Sequence, residues 1–536
     1  MQRLTFANLS DSFLQTPSPR CWFTPLAGSI LALAACTSNS VSGQAKDPEP
    51  LKPAADWVIS APTGTPRPPY AFDPDDEKLL EEVQHSSFLF FWNACDPTSG
   101  MVVDRTSVKF ASIAGVGFQL AAIPVAVEHH WITREQGQER AERILRTLES
   151  SPTNRKAGLF FHFLDGPTAN PRNDDVVSTI DSTILFAGMI VAGEYFGGSV
   201  REIGDRLVDQ ADWSFFLNQH PRADEPYLKG FLTLGWKPRD FKKNPTGDGA
   251  LRPYCWADAG DEQRLVYVLA ATPSRTDHTA DPAFYYRMRR ELGEYPGVEP
   301  HMWFPWSGAI FTDFFAHCFI DYASMGPDDP AAHGADRRPR IDWWENSRRA
   351  ASLHRVKCTE NPLHLPTFGP NAWGLSACDA ASGYSVPGVF PNRIPTADEV
   401  LNVDWSDFKV KDSYGDGTVA PYAAGCTIMF DPKPAISALR YYRTLKKPDG
   451  TPVVWREPSP SGGPGEYGFR DSFNLGTGWI APDYVAIDQG PLLLSIENAR
   501  TGLVWRLFHA HDAVKTAMGR LGLTPDTGHT KGRSRP

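Results

Sequence analysis

Four carboxylates stand out for their surroundings. Glu262 follows Gly260-Asp261 at the start of an apolar run, Leu265-Val-Tyr-Val-Leu-Ala270. Asp471 lies in a Gly-bearing aromatic loop, Tyr467-Gly-Phe-Arg-Asp-Ser-Phe-Asn474; Asp181 lies in Ser178-Thr-Ile-Asp181; Asp416 opens Asp416-Gly-Thr-Val-Ala-Pro-Tyr422. Paired carboxyls among aromatics are the raw material of glycoside hydrolysis, in which one acid protonates the leaving oxygen and a second carboxylate activates water or attacks. A carboxyl backed by an apolar helix and flanked by Trp256 is expected to stay protonated near neutrality. Each residue also has a purely structural reading. Glu262 would suit a helix dipole, Asp471 and Asp416 would each close a turn, and Asp181 has capping-box spacing from Ser178. Other chemistries leave no mark: GxSxG, Walker, HExxH and Rossmann patterns are absent.

The elements that must position these groups read as helices joined by Gly/Pro-rich loops. Helical spacing covers 79–92, 113–127, 134–148, 178–195, 203–217, 262–271, 283–292, 308–322, 342–361, 434–445 and 490–518. Residues 178–195 are apolar nearly all round, which suits a helix covered on both sides. Strand-like alternation is scarce. About a dozen helices with long loops predict an all-α fold, an (α/α)6 toroid whose loops at one end form a cleft. A helical repeat array is disfavoured because no 20–50-residue period recurs.

The 536 residues allow one large domain or two, and the 22% charged content is ordinary for a globular chain. A net charge of −10 argues against a nucleic-acid-binding surface, which needs clustered Lys and Arg. The 16 Trp fit either a large core or sugar-stacking surfaces. Near the N-terminus, Arg20 precedes an apolar stretch too short to span a bilayer but suited to a signal peptide. It ends in Leu33-Ala34-Ala35-Cys36, which resembles a bacterial lipobox, so Cys36 is expected to carry lipid after export. Thr37 and Ser38 favour the outer membrane or periplasmic face of a Gram-negative envelope. Residues 37–75 are Pro-rich and read as a tether, 76–520 as the catalytic domain, and 521–536 as a disordered tail. The remaining cysteines show no zinc-ligand spacing, so neither a metal nor an organic cofactor is implied.

Several segments, in order, resemble the glucoamylase-like domain of glycoside hydrolase family 144 β-1,2-glucanases and the related domain of cyclic β-1,2-glucan synthases. They are Phe110-Ala-Ser-Ile-Ala-Gly-Val-Gly117, Gly158-Leu-Phe-Phe-His-Phe163, Ser178-Thr-Ile-Asp181, Asp342-Trp-Trp-Glu-Asn-Ser347 and Asn371-Ala-Trp-Gly-Leu375. Asp416-Gly-Thr-Val-Ala-Pro-Tyr422, Tyr467-Gly-Phe-Arg-Asp471, Ile487-Asp-Gln-Gly-Pro491 and Arg500-Thr-Gly-Leu-Val-Trp505 complete the series.

The resemblance implies the toroid, β-1,2-glucan as substrate and an inverting mechanism with Glu262 as acid and Asp471 as base. Asp181 and Asp416 are the reserve candidates. Where such glucanases often carry Asp-Leu-Val-Glu this chain has Ser178-Thr-Ile-Asp181, which leaves the endo or exo mode open. Sugar contacts would come from Trp256, Trp306, Trp373 and Tyr422, with His317, Asp321, Glu345, Asn346 and Arg348. Against that, a lone His317 on an apolar helix reads as a core residue, and Glu345 with Arg348 as an i, i+3 ion pair. The expected partner is an oligo- or polysaccharide, with membrane contact only through the lipid. A transglycosylase or phosphorylase on the same linkage, and a non-catalytic glycan-binding lipoprotein, are the alternatives.

Overall fold

The computed structural model describes residues 50–172, 175–303, 307–397, 411–458 and 465–525. Helices dominate. In chain order they are α1 (Pro74–Asn93), α2 (Ile113–Glu128), α3 (Arg134–Ser150), α4 (Thr179–Phe196), α5 (Gly198–Asp209), α6 (Asp261–Leu269) and the short α7 (Ala283–Arg287). Then come α8 (Trp343–Glu360), α9 (Pro421–Cys426), α10 (Pro432–Thr444), α11 (Ala486–Arg500), α12 (Leu503–Ala510) and α13 (Asp512–Leu521). The strands are short pairs and triplets in the loops between helices.

Sequence decides which helices lie inside. In α2 every residue from Ile113 to Ala126 is buried, and α4 is buried over nearly its whole length. Neither has a polar stripe to turn toward water. By contrast α3 is polar on one face and buries only Gly137, Ala141, Ile144, Leu145 and Leu148. A capping box between Thr133 and Gln136 starts it. Helices α2 and α4 cross at two glycines. A Cβ on Gly188 would stand 2.0 Å from the Gly117 carbonyl oxygen, and one on Gly117 would stand 2.4 Å from that of Ile184. Around this pair, α4 packs on α6, α6 on the turns of 310–318, and Phe314 of those turns on Tyr422 of α9. Helix α9 packs on α11, and α11 returns to α2. Helices α1, α3, α5, α8 and α10 lie against this series, and α12–α13 pack on α4 and α6. One continuous hydrophobic core runs from Ile59 to Leu523.

Four stretches differ from the periodicity. Residues 308–322 form two separate 3-10 turns, Ile310–Asp313 and Ala316–Cys318, with a third beginning at Tyr322, rather than an α-helix. The Asp261 carboxylate accepts the backbone N–H groups of Ala316 (2.5 Å) and His317 (3.2 Å) there, competing with helical pairing. The 283–292 helix stops at Arg287, because Arg289 pairs by backbone with Ala257 and Ala259. Glu291–Tyr295 then turns through Pro296-Gly297 into an antiparallel pairing with Val298–Trp303. The 203–217 helix begins earlier, at Gly198, and ends at Asp209; Asp212 caps a separate turn at Trp213–Phe216. The 490–518 stretch is broken at Gly502, where φ is +67°, and again at His511.

The tether boundary also moves. Val58–Ile59 pairs in parallel with Arg340–Ile341, and Arg67 forms an ion pair with Asp342, so 54–73 lie on the helical body. The hydrophobic side chains in this stretch explain it, since Ile59 is buried and Trp57, Tyr70 and Phe72 pack on the core. Cys36, the signal segment and the tail from 526 fall outside the described residues. No described helix is long and apolar enough to cross a membrane.

Candidate active site

The N-terminal ends of α6, α9 and α11 point to a common cleft, so their partial positive charges converge on it. The space between its walls, counted together with the open solvent at the mouth, is about 400 Å³. Glu262 from α6, Tyr422 from α9 and Asp488 from α11 line it. Loops add Arg105, the Cys378–Asp379 edge of a hairpin, and Asp471, while Phe311 and Phe315 supply an apolar wall.

Asp471 sits between two short strands and is 2% exposed. Its Oδ2 accepts the Asp379 backbone N–H at 2.7 Å; the Ser472 hydroxyl lies 3.2 Å away but donates over the shorter distance, 2.5 Å, to the Asp379 carbonyl. Arg105, from the turn opposite, binds Asp104 at 3.1 Å and Asp379 at 2.8 Å. That turn is itself clasped to 483, whose carboxylate accepts from Thr106 (2.9 Å) and Ser107 (2.7 Å). Burial raises the Asp471 carboxyl to about 6, against hydrogen bonding with Asp488 that lowers it. Asp488 stands beside it, and burial together with the neighbouring Asp471 charge pushes its carboxyl well above the carboxylate range.

Glu262 has a different environment. Burial, then the charges of Asp181 and Asp261, raise its carboxyl to about 8. Its side chain stays partly accessible from the cleft. Asp261, beneath it, is fully buried and binds Arg264, His317 Nδ1 (3.1 Å) and two backbone N–H groups. Burial opposes ionisation of Asp261, but His317 and Arg264 outweigh it and hold the carboxylate below its ordinary value. Asp261 therefore fixes the first turn of α6 to the 310–318 turns and adds a fixed negative charge under Glu262. Behind Asp181, His162 Nε2 lies 3.7 Å from its carboxylate and Nδ1 lies 4.0 Å from Asp175. This arrangement offers a protonated carboxyl and an ionisable carboxylate in one water-accessible cleft, the requirement for acid–base hydrolysis.

The structure thus brings Glu262, Asp471 and Tyr422 into one cavity, with Asp181 close enough to act on the Glu262 charge. Tyr422 holds its hydroxyl against Ser376 (2.9 Å) and the Ala377 carbonyl (2.8 Å). Trp256 is half-buried and donates its indole N–H to Thr179, at the start of the helix bearing Asp181. Other candidates lie elsewhere. Asp416 is exposed and closes a turn by accepting from Thr418 N–H and hydroxyl. His317 is fully buried against Asp261, and Asp321 caps a 3-10 turn. Glu345 is buried in an ion pair with Arg348 (2.7 Å) and Arg349 (2.6 Å), and Asn346 accepts the Met302 N–H. Trp373, 1% exposed, packs in the core with its backbone bound to the Tyr442 hydroxyl. Trp306 lies outside the described residues.

Three cavity residues have weak signals in sequence. Asp488 sits inside the Ile487-Asp-Gln-Gly-Pro491 motif, yet at a helix start an acidic residue is commonplace. Arg105 and Asp379 are unremarkable until the fold joins them. Among the described residues no group of His, Cys, Asp and Glu is placed to hold a metal ion.

Residues 253–512 match the family described as "Putative glucoamylase". That part of the chain is similar to the glucoamylase-like family. A putative glucoamylase of Bacteroides uniformis, solved by crystallography, superposes with a TM-score of 0.65 at 28% identity, covering 84% of this chain and 98% of that one. An endo-β-1,2-glucanase of Chitinophaga pinensis, solved with sophorotriose and glucose, gives a TM-score of 0.64 at 22% identity over 84% of this chain and 98% of its own. An exo β-1,2-glucooligosaccharide sophorohydrolase of Parabacteroides distasonis is 25% identical over 484 residues, which are 83% of this chain. The chain spans only 58% of that relative's length. The family match includes Glu262, Tyr422, Asp471 and Asp488, but Asp181 and Arg105 precede it.

Proposed function

We propose that this glucoamylase-like domain is a glycoside hydrolase that cleaves β-1,2-glucan with inversion. The carrying observation is a single cleft holding two carboxyls in different settings: Glu262, which burial and the charges of Asp181 and Asp261 push up to about 8, and Asp471, whose Oδ2 accepts the Asp379 N–H. Asp471 takes a proton from water, whose oxygen attacks the anomeric carbon. As the glycosidic C–O bond breaks, its electron pair goes to the leaving oxygen, which takes the Glu262 proton. Solvent exchange then returns a proton to Glu262 and removes one from Asp471. The β-1,2 linkage is supported by the activities named for the Parabacteroides and Chitinophaga relatives.

Water is favoured over phosphate as acceptor by one feature. Arg105 is the Lys or Arg side chain among the cavity-lining residues, and Asp104 and Asp379 already neutralise it. A closed (α/α)6 double ring is supported by the packing order α2, α4, α6, 310–318, α9, α11 and back to α2, with α1, α3, α5, α8, α10 and the pair α12–α13 lying against that series. We take 54–523 as the one catalytic domain, exported and held to the envelope by lipid on Cys36. Cys36→Ser should move the protein from the detergent phase to the soluble fraction; a wild type already soluble would remove the anchor.

The function is tested by incubating the purified protein with β-1,2-, β-1,3-, β-1,4- and α-1,4-glucans and separating the products. Oligosaccharides should arise from the β-1,2-glucan. Binding without turnover would indicate a glycan-binding protein, and turnover only with added phosphate a phosphorylase.

A further inference from the structure

Both carboxyls on the Asp471 side of the cleft are almost wholly buried, Asp471 at 2% and Asp488 at 4% exposed. Their hydrogen bonding is incomplete if both are ionised. Asp471 Oδ2 accepts the Asp379 N–H, but no N–H or hydroxyl of the described residues reaches Oδ1. The group in hydrogen-bond contact with Asp471 is the Asp488 carboxyl, and the buried Tyr384 ring lines the same cavity. Two buried carboxylates side by side repel strongly, whereas one shared proton turns the contact into a charge-assisted hydrogen bond. Arg105 favours the charged form of both only from a distance, since its guanidinium hydrogen bonds go to Asp104 and Asp379.

We propose that Asp488 and Asp471 hold one proton between them, with Asp488 the positioning residue that donates it and Asp471 the carboxylate left facing the cleft. The backbone favours this division. Asp471 receives the Asp379 N–H, which stabilises charge there, while Asp488 shares the cavity wall with Val485, Ile487, Tyr384 and Tyr422, and of the charged groups Arg105 and Asp379 act on it besides Asp471. Asp488 on the rigid first turn of α11 then fixes the orientation of a carboxylate borne on a loop.

The proposal rests on the hydrolase reading for its kinetic consequence but not for its proton. Infrared spectra of the wild type and Asp488→Asn at pH 7 should differ by the carbonyl stretch of one protonated carboxyl, present only in the wild type. Absence of that band would overturn the proposal whether or not any glucan is cleaved. In kinetics, Asp488→Asn keeps a donor and should lower kcat by about tenfold with KM unchanged. That is less than the roughly 10²–10⁴-fold expected for Asp471→Asn. Asp488→Leu, similar in size but without a donor, should move the acid limb of kcat/KM to higher pH, because Asp471 loses the bond that favours its charge. An Asp488→Asn enzyme, folded by circular dichroism but as inactive as Asp471→Asn, would make Asp488 itself the base and refute the division of roles.

Discussion

Replacing Glu262 by Gln should abolish turnover and stabilise the fold at the same time. The carboxyl is raised from 4.5 to about 8. Between those values the unfolded chain has released the proton and the folded chain still binds it, so stability falls as pH rises. At pH 7 the cost is (7 − 4.5) × 1.36, or about 3 kcal/mol for full burial. Glu262 is partly open to the cleft, and solvent reduces this to about 1–3 kcal/mol. Gln has no proton to lose. Glu262→Gln should therefore gain about 1–3 kcal/mol over the wild type between pH 4.5 and pH 7, read from urea unfolding at both values. The same variant should lose roughly 10²–10⁴-fold in kcat if Glu262 is the acid. An equal stability difference at both pH values would refute the raised carboxyl. Undiminished kcat would refute the acid role.

Asp261→Asn should destabilise the protein by about 3–5 kcal/mol in denaturant unfolding, because it leaves Arg264 charged and buried without its partner; a change below about 1 kcal/mol would remove Asp261 as the link between α6 and the 310–318 turns. Gly188→Ala should cost at least about 1–3 kcal/mol through collision with the Gly117 carbonyl, the opposite sign to the gain of about 1 kcal/mol expected for such a change in an open helix. Trp373→Phe should lower the melting temperature and leave KM for glucan unchanged, since its ring lies in the core; a raised KM would put that side chain back at the substrate.

The buried helices were readable because burial on all sides leaves its own mark, and 113–128 and 179–196 follow their apolar runs closely. The sequence could not show where a long-range acceptor would break a helix. Residues 308–322 have helical spacing, but Asp261, more than fifty positions earlier, takes two of their N–H groups. The same limit governs the site. Glu262 and Asp471 each carry a local clue, an acidic group against an apolar or Gly-rich segment. Asp488, Asp379 and Arg105 acquire meaning only through partners distant in the chain. Trp373, His317 and Glu345 show the converse: an aromatic loop, a helix-like stretch and a polar helix start turned inward, where packing and ion pairing account for them.

The most direct test of inverting hydrolysis by Glu262 and Asp471 is proton NMR of the first product released from β-1,2-glucan, followed before mutarotation. Water delivered by Asp471 to the face opposite the departing oxygen should give the α-anomer first, with the β-anomer growing in later. Initial release of the β-anomer would mean retention, and Asp471 could not then be acting as the base of a single displacement.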